Sequence, residues 1–359
     1  MTGLTIAHFG LQRQSKQLRD ELLDATDQVL QSGQFLDGPF TRQFENWLRF
    51  KTGSDYAITV HSGTQALEII AEYIKIKHLY FGNFEPPVVL PNISYPATLN
   101  AFVSKDINIE LRDTDKYGIL SEKSMTVAET YCLVGLYGRS PWHDLEFTDG
   151  KNIIVDGAQH WLVADGNIGL AMSISFDPTK NLPSTGNGGA IVTNDQDFYN
   201  YAVKQRNNGK PNFDFAGSNT KMSEQDCAQI LVRTKYLDSW QHRREQIRQF
   251  YVNELSNYVK CLSDDFDIPH SNQKFVIYTP EHRNSLHTHL LVSGIDSKIH
   301  YDYTLAELEI ASNIKIKPNM LSTSFMLMRG VLSLPIYPEL TDNEVEYIVN
   351  KVKEFYKHA

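Results

Sequence analysis

Apolar residues recur along this chain in two alternating patterns. Short runs such as Tyr56-Ala57-Ile58-Thr59-Val60, Pro87-Val88-Val89-Leu90, Tyr131-Cys132-Leu133-Val134-Gly135-Leu136 and Ile153-Ile154-Val155 read as strands buried on both faces. Between them lie stretches with apolar residues at helical spacing. Ser15 to Leu30 carries Leu18, Leu22, Leu23, Val29 and Leu30, while Pro39 opens a helix that buries Phe40, Phe44, Trp47 and Leu48 until Gly53 stops it. Strand alternating with helix predicts crossover connections, hence an α/β fold with a mostly parallel central sheet.

The pattern changes in the second half. From Met222 to Leu255 there is no proline or glycine and apolar residues keep helical intervals, which predicts one long helix or two nearly continuous ones at a domain boundary. We expect a large domain over residues 1–240 and a smaller α+β domain over 241–359. In the latter, Lys274-Phe275-Val276-Ile277-Tyr278 and His289-Leu290-Leu291-Val292 read as strands, and Asp342 to Tyr356 as a final helix with Thr341 as its N-cap. Asn207 to Ser218 and Leu321 to Arg329 read as loops, and no internal repeat is found.

Composition adds limits. The 359 residues, 41% of them hydrophobic, can bury a large core. The opening Met1-Thr2-Gly3-Leu4-Thr5-Ile6 has no basic start followed by an apolar core, and no apolar run approaches the roughly 18 residues of a membrane helix, so a cytoplasmic address and no membrane partner are expected. Cys132, Cys227 and Cys261 are an odd number without metal-ligand spacing, which predicts buried thiols rather than a disulfide framework or a zinc site. With 34 basic against 43 acidic residues the net charge is −9, which argues against nucleic acid as a partner of the whole surface. An anionic substrate would need a local basic patch.

The candidate chemistry lies at strand ends. Lys180, in Ser175-Phe176-Asp177-Pro178-Thr179-Lys180-Asn181-Leu182, stands between an apolar strand and the glycine-rich run Gly186-Asn187-Gly188-Gly189. A lysine amine reacts near neutrality only when burial or nearby charge lowers its pKa, or when an aldehyde cofactor captures it as an imine. Asp156 closes Ile153-Ile154-Val155, and carboxyl ends of strands face the ligand crevice in open α/β sheets. A carboxylate there can hold a pyridine nitrogen protonated, although turn or cap aspartates occupy such places equally often. Gln159 can donate to a phenolate oxygen. Ser62-Gly63-Thr64 joins a strand to a helical run, where free N–H groups and the helix dipole make an anion site, or where the hydroxyls simply cap. Tyr95 sits where a strand passes into a helix and can stack on a flat ring, and Ser175 can reach a phosphate. An amine, an anion for a ring nitrogen and a phosphate cradle are the equipment for holding pyridoxal phosphate. His287, His289 and His300 have no metal spacing, and no metal is expected.

With those residues in order, the chain resembles the DegT/DnrJ/StrS family of pyridoxal-phosphate-dependent sugar aminotransferases over nearly its whole length. The landmarks include Gly38-Pro39, Ser62-Gly63-Thr64 with Ala66-Leu67, Leu136-Tyr137-Gly138, Asp156 with Ala158-Gln159, Ser175-Phe176 with Thr179-Lys180-Asn181, Gly188-Gly189-Ala190, Asn219 with Met222, and Leu332 to Pro338. The resemblance implies the aspartate-aminotransferase-like fold type I and a homodimer with shared active sites. It implies that Lys180 forms the internal aldimine, Asp156 pairs with the pyridinium nitrogen, Gln159 lies near the phenolate and Tyr95 stacks on the ring. Gly63, Thr64 and Ser175, with Ser62 beside them, would hold the phosphate, and Asn219 would reach the phosphate of the partner subunit's cofactor. One branch of the family carries histidine for the lysine and is a dehydratase; Lys180 favours amino transfer. The donor implied is glutamate or glutamine and the acceptor a keto-sugar linked to a nucleoside diphosphate, for which Arg206, Lys210, Lys315, Lys317 and Arg329 are candidate cations. Alternatives are a different cyclic ketone such as a keto-inositol, or a non-catalytic regulatory protein that binds the cofactor. Two departures stand out: Lys221 replaces the usual arginine, and His160-Trp161 are bulkier than the residues common there.

Overall fold

The computed structural model describes residues 5–80, 86–120, 130–142, 153–316 and 322–358. Eleven strands are described: β1 Tyr56–Val60, β2 Val88–Pro91, β3 Ile109–Arg112, β4 Thr130–Val134, β5 Ile153–Asp156, β6 Ala171–Ser175, β7 Gly189–Thr193, β8 Lys260–Cys261, β9 Phe275–Tyr278, β10 Lys315–Ile316 and β11 Val331–Leu334. Eight form one sheet in the order β1-β7-β6-β5-β4-β2-β3-β10. Every pair from β6 through β10 is parallel, and β7 runs antiparallel to both neighbours. β11, β9 and β8 form an antiparallel sheet of three.

The continuous apolar runs have a simple cause. Alternate residues of one strand enter opposite cores: Ile58, Val60, Leu90, Cys132 and Ile154 pack on one face of the large sheet, and Ala57, Val89, Leu133 and Val155 on the other. The three-stranded sheet has its own core, built with Tyr251, Leu286, Leu290, Ile348 and the distant Ile6. All three cysteines are buried free thiols.

The helices follow the expected pattern with instructive exceptions. Pro39 starts the helix Pro39–Thr52 and Gly53, at φ 67°, ends it. Its first turn is capped from afar: the buried Glu224 carboxylate accepts from the N–H groups of Gly38, Phe40 and Thr41. The Ser15–Leu30 stretch divides into Leu11–Gln17 and Arg19–Ser32; Leu18, Leu22 and Val29 are buried, but Leu23 and Leu30 are exposed. The long segment after Met222 forms two helices, Glu224–Thr234 and Leu237–Leu255.

Two expectations fail. His289 to Val292 is the end of the helix Arg283–Val292, because Leu286 and Leu290, one turn apart, both enter the core and override the local strand-like run. Leu321 to Arg329 is not a loop: Ser322–Gly330 is helical, and its first N–H groups are capped by Asp113, which accepts from Thr323 and Ser324. Leu321 lies outside the described residues.

Candidate active site

The sheet register brings the candidates to one edge. Val60 of β1 and Ser175 of β6 both pair with Gly189, Asp156 of β5 pairs with Ser173, and Val134 pairs with Asp156. The carboxyl ends of β1, β4, β5 and β6 therefore meet where ligands bind in open α/β sheets. Above this edge lies a cavity of about 470 Å³ lined by Ser62, Gly63, Thr64, Tyr95, Asp156, Gln159, Ser175 and Lys180, together with Phe9, Lys274, His300 and Tyr301. That volume suits a cofactor with a small substrate.

Lys180 is set by a tight loop. Phe176 N–H donates to Gly188 O (2.8 Å), Lys180 N–H to Asp177 O (2.9 Å), and Asp177 Oδ1 accepts from Thr179 N–H (2.9 Å) and its hydroxyl (2.5 Å). Gln273 clamps both flanks, donating to Thr179 O (2.9 Å) and accepting from Asn181 N–H (3.0 Å). The Lys180 ammonium has no hydrogen bond or ion pair among the described residues, and burial lowers its pKa against the opposing pull of Asp156 and Asp177.

Asp156 is nearly buried at 6% exposure. Oδ2 accepts from the Thr98 hydroxyl at 2.7 Å, which is itself paired with Ser94 Oγ, and Oδ1 accepts from Ala158 N–H at 3.1 Å. Gln159 accepts from Tyr137 N–H (2.8 Å) and donates from Nε2 to the Tyr301 hydroxyl (3.3 Å). Tyr95 is the exposed N-cap of the helix Pro96–Val103, its ring 6.1 Å from that of Tyr301.

The anion cradle has the expected build. Gly63 opens the helix Gly63–Tyr80, with Ser62 Oγ accepting from Gln65 N–H at 3.1 Å. A Cβ on Gly63 would sit 2.8 Å from Ser175 Cβ, and one on Gly189 2.3 Å from the Ser62 carbonyl carbon, so this turn can press its N–H groups toward the cavity only with glycine at both places. An amine freed of partners, a carboxylate fixed on two donors and a helix N-terminus lined by hydroxyls are a donor set that fits pyridoxal phosphate.

Other candidates lie elsewhere. Asn219 is exposed, does not line the cavity, and accepts at Oδ1 from Lys221 Nζ (2.8 Å), which also donates to Asn207 Oδ1. Arg206 is committed to Glu45 (2.6 Å) and Thr59 O (2.8 Å). Lys210 and Arg329 are exposed and away from the cavity, Lys317 lies outside the described residues, and the Lys315 side chain is likewise undescribed. His287 bonds Ser297 and His289 faces Lys351 O. His160 is fully buried, neither ring nitrogen has a partner among the described residues, and burial lowers its pKa to about 3; its ring occupies the space a Cβ on Gly135 would take. The bulky side chain is thus buried against Gly135 and does not line the cavity.

Thr98, Phe9 and Lys274 were not anticipated. Thr98 left a faint signal, lying in the first turn of a helix started by Pro96 at a strand end. Phe9 and Lys274 left none, because they arrive from the N-terminal segment and the second sheet.

A family model described as the DegT/DnrJ/EryC1/StrS aminotransferase family matches residues 16–123 and 157–353. A pleiotropic regulatory protein of Geobacillus stearothermophilus is 24% identical, covering 99% of this chain and 100% of its own. The dTDP-3-amino-3,4,6-trideoxy-alpha-D-glucose transaminase of Streptomyces venezuelae is 29% identical, covering 95% of this chain and 93% of its own. The crystal structure of DesV from S. venezuelae in complex with a ketimine intermediate aligns at a TM-score of 0.86 and 26% identity, over 97% of this chain and 98% of that one. The chain belongs to the DegT/DnrJ/EryC1/StrS aminotransferase family, and it is a pyridoxal-phosphate-dependent aminotransferase of fold type I.

Proposed function

We propose that this enzyme moves an amino group from an amino-acid donor, glutamate or glutamine, to a nucleotide-linked keto-sugar and releases an amino-sugar. The observation that carries this reading is the unpaired Lys180 amine sharing one cavity with the fixed Asp156 carboxylate. Relatives named as transaminases of dTDP-linked amino-sugars support the sugar class. Bound pyridoxal phosphate supplies an aldehyde to receive the amine and a ring to draw electrons from the donor's α-carbon. Lys180 Nζ anchors the cofactor and moves the proton between the α-carbon and the cofactor, a task suited to an amine whose charge is disfavoured by burial. Asp156 holds a proton on the ring nitrogen. Ser62, Gly63, Thr64 and Ser175 bind the phosphate, Tyr95 covers a ring face, and Gln159 orients the phenolic oxygen. We further propose a division near residue 240, and a homodimer in which Asn219 of the partner subunit completes the phosphate site; its exposure and its distance from its own cavity support this.

Lys180→Ala is expected to lose at least roughly a hundredfold in transamination, the low end of what a positioned acid–base group contributes. Near-normal rates in that variant would refute the assignment. A regulatory relative at 24% identity makes a non-catalytic binder the second reading. A yellow holoenzyme whose absorbance band moves on adding glutamate is expected here, and a band indifferent to every amino donor would favour the binder. Screening nucleotide-linked 3-keto and 4-keto sugars beside keto-inositols then identifies the acceptor.

A further inference from the structure

The cavity holds a second lysine that the mechanism above does not use. Lys274 begins β9's approach from the three-stranded sheet and is 7% exposed. Its backbone N–H donates to Tyr137 O at 3.0 Å. Its ammonium has no hydrogen bond or ion pair among the described residues, and it lies 5.7 Å from the centroid of the Phe9 ring. A buried amine without a partner is costly to charge, so an anion brought beside it is what would make it an ammonium.

The surroundings say what that use is. Apart from Lys180, no other lysine or arginine among the described residues lines the cavity. Of the two lining carboxylates, Asp156 is committed to Thr98 and Ala158, and Asp177 Oδ1 to Thr179. His300 is tied through Nδ1 to Ser333 Oγ at 2.8 Å, and burial lowers its pKa, so it adds a neutral wall. Burial first, then the charges of Lys180 and Arg244, bring the Lys274 pKa to about 7, against the pull of Asp177. Gln273, the residue before Lys274, bonds on both sides of Lys180, so the two lysines are held in fixed relation by one clamp.

An amino-acid donor presents an amine and, one carbon away, a carboxylate. We propose that Lys274 is the residue that binds the α-carboxylate of the amino donor, while the donor's amine is delivered beside Lys180. This rests on the proposed amino-acid donor. A carboxylate brought to Lys274 favours its charged form in a desolvated pocket, where a charge-assisted hydrogen bond is strongest.

The test uses holoenzyme of the wild type, Lys274→Met and Lys274→Arg. α-Methylglutamate, which has no α-proton to lose, reports binding alone through the cofactor's absorbance. Its dissociation constant is expected to rise at least roughly tenfold in Lys274→Met and to recover most of that loss in Lys274→Arg. In the donor half-reaction, the preference for glutamate over 4-aminobutyrate, which lacks the α-carboxylate, is expected to collapse in Lys274→Met. The KM for the keto-sugar from the pyridoxamine form should stay within about threefold. Unchanged α-methylglutamate binding overturns the assignment, as does a loss confined to the keto-sugar, which would give the charge to an anionic group of the acceptor. Loss of bound cofactor in both variants also overturns it, since Lys274 would then serve the cofactor's fit. A wild-type holoenzyme that accepts no amine from glutamate, glutamine or 4-aminobutyrate overturns the donor reading on which this proposal rests, an outcome distinct from any of these.

Discussion

In its proposed role Asp156 works only if its carboxylate cannot turn away, and the Thr98 hydroxyl is one of the two donors that hold it. Thr98→Val keeps the volume and removes the donor, leaving Asp156 with the single 3.1 Å bond from Ala158 N–H. We expect kcat to fall roughly tenfold, in line with one lost hydrogen bond to a charged group, while bound cofactor per chain is unchanged. Steady-state kinetics with an absorbance count of cofactor would check this, and a rate within about twofold of wild type would make Thr98 a filler. At this scale Lys180 and Asp156 were legible because strand ends announce them: an apolar run stops at a reactive side chain. Thr98 and Lys274 were not, since neither polarity nor spacing in their own segments distinguishes them from caps and surface residues. Their meaning comes from what the fold sets opposite them.

Elements were most legible where their ends carry chemistry. Thr341 caps the last helix as expected: its hydroxyl accepts from Glu344 N–H at 3.3 Å, and Glu344 returns to Thr341 N–H at 2.9 Å. What the local sequence could not disclose is Arg13, 331 residues away, which grips the same carboxylate through both Nη atoms at 2.7 and 2.5 Å. The Arg13 bonds first, with Thr341 after them, hold the Glu344 pKa down at about 2. A depressed carboxylate pKa stabilises the folded state above its unfolded value and loses that contribution as pH falls toward the folded one. Glu344→Gln is therefore expected to cost about 1–2 kcal/mol at neutral pH, discounted because Arg13 is partly open to solvent. The gap between variant and wild type in urea unfolding should narrow as pH drops below about 4.5. A gap independent of pH would assign the loss to packing. The misread helix Arg283–Val292 follows the same logic: its core-facing leucines are visible only once the three-stranded sheet supplies a core.

For the whole molecule, the alternation of strands and helices made the parallel sheet legible, but the returns of distant chain were not. β10 brings two residues back to the edge of the large sheet beside β3, and Ile6 joins the core of the second sheet; segments this short carry no pattern. The proposed shared active site would be the largest such return, and it can be tested by mixing chains. Asn219 stands exposed, held by Lys221, off the cavity of its own chain. If it serves a second copy, Lys180→Ala and Asn219→Ala should each be nearly inactive alone. Dissociated and reassembled in equal amounts, half of the dimers would be mixed, and each mixed dimer would contain one site with both Lys180 and an intact Asn219 from across the interface. Activity should then recover to about a quarter of the wild-type value per site. Recovery must grow with time of subunit exchange and vanish if the chains are cross-linked beforehand. An Asn219→Ala variant that stays fully active, or a mixture that never rises above its two components, would mean that each chain completes its phosphate site alone.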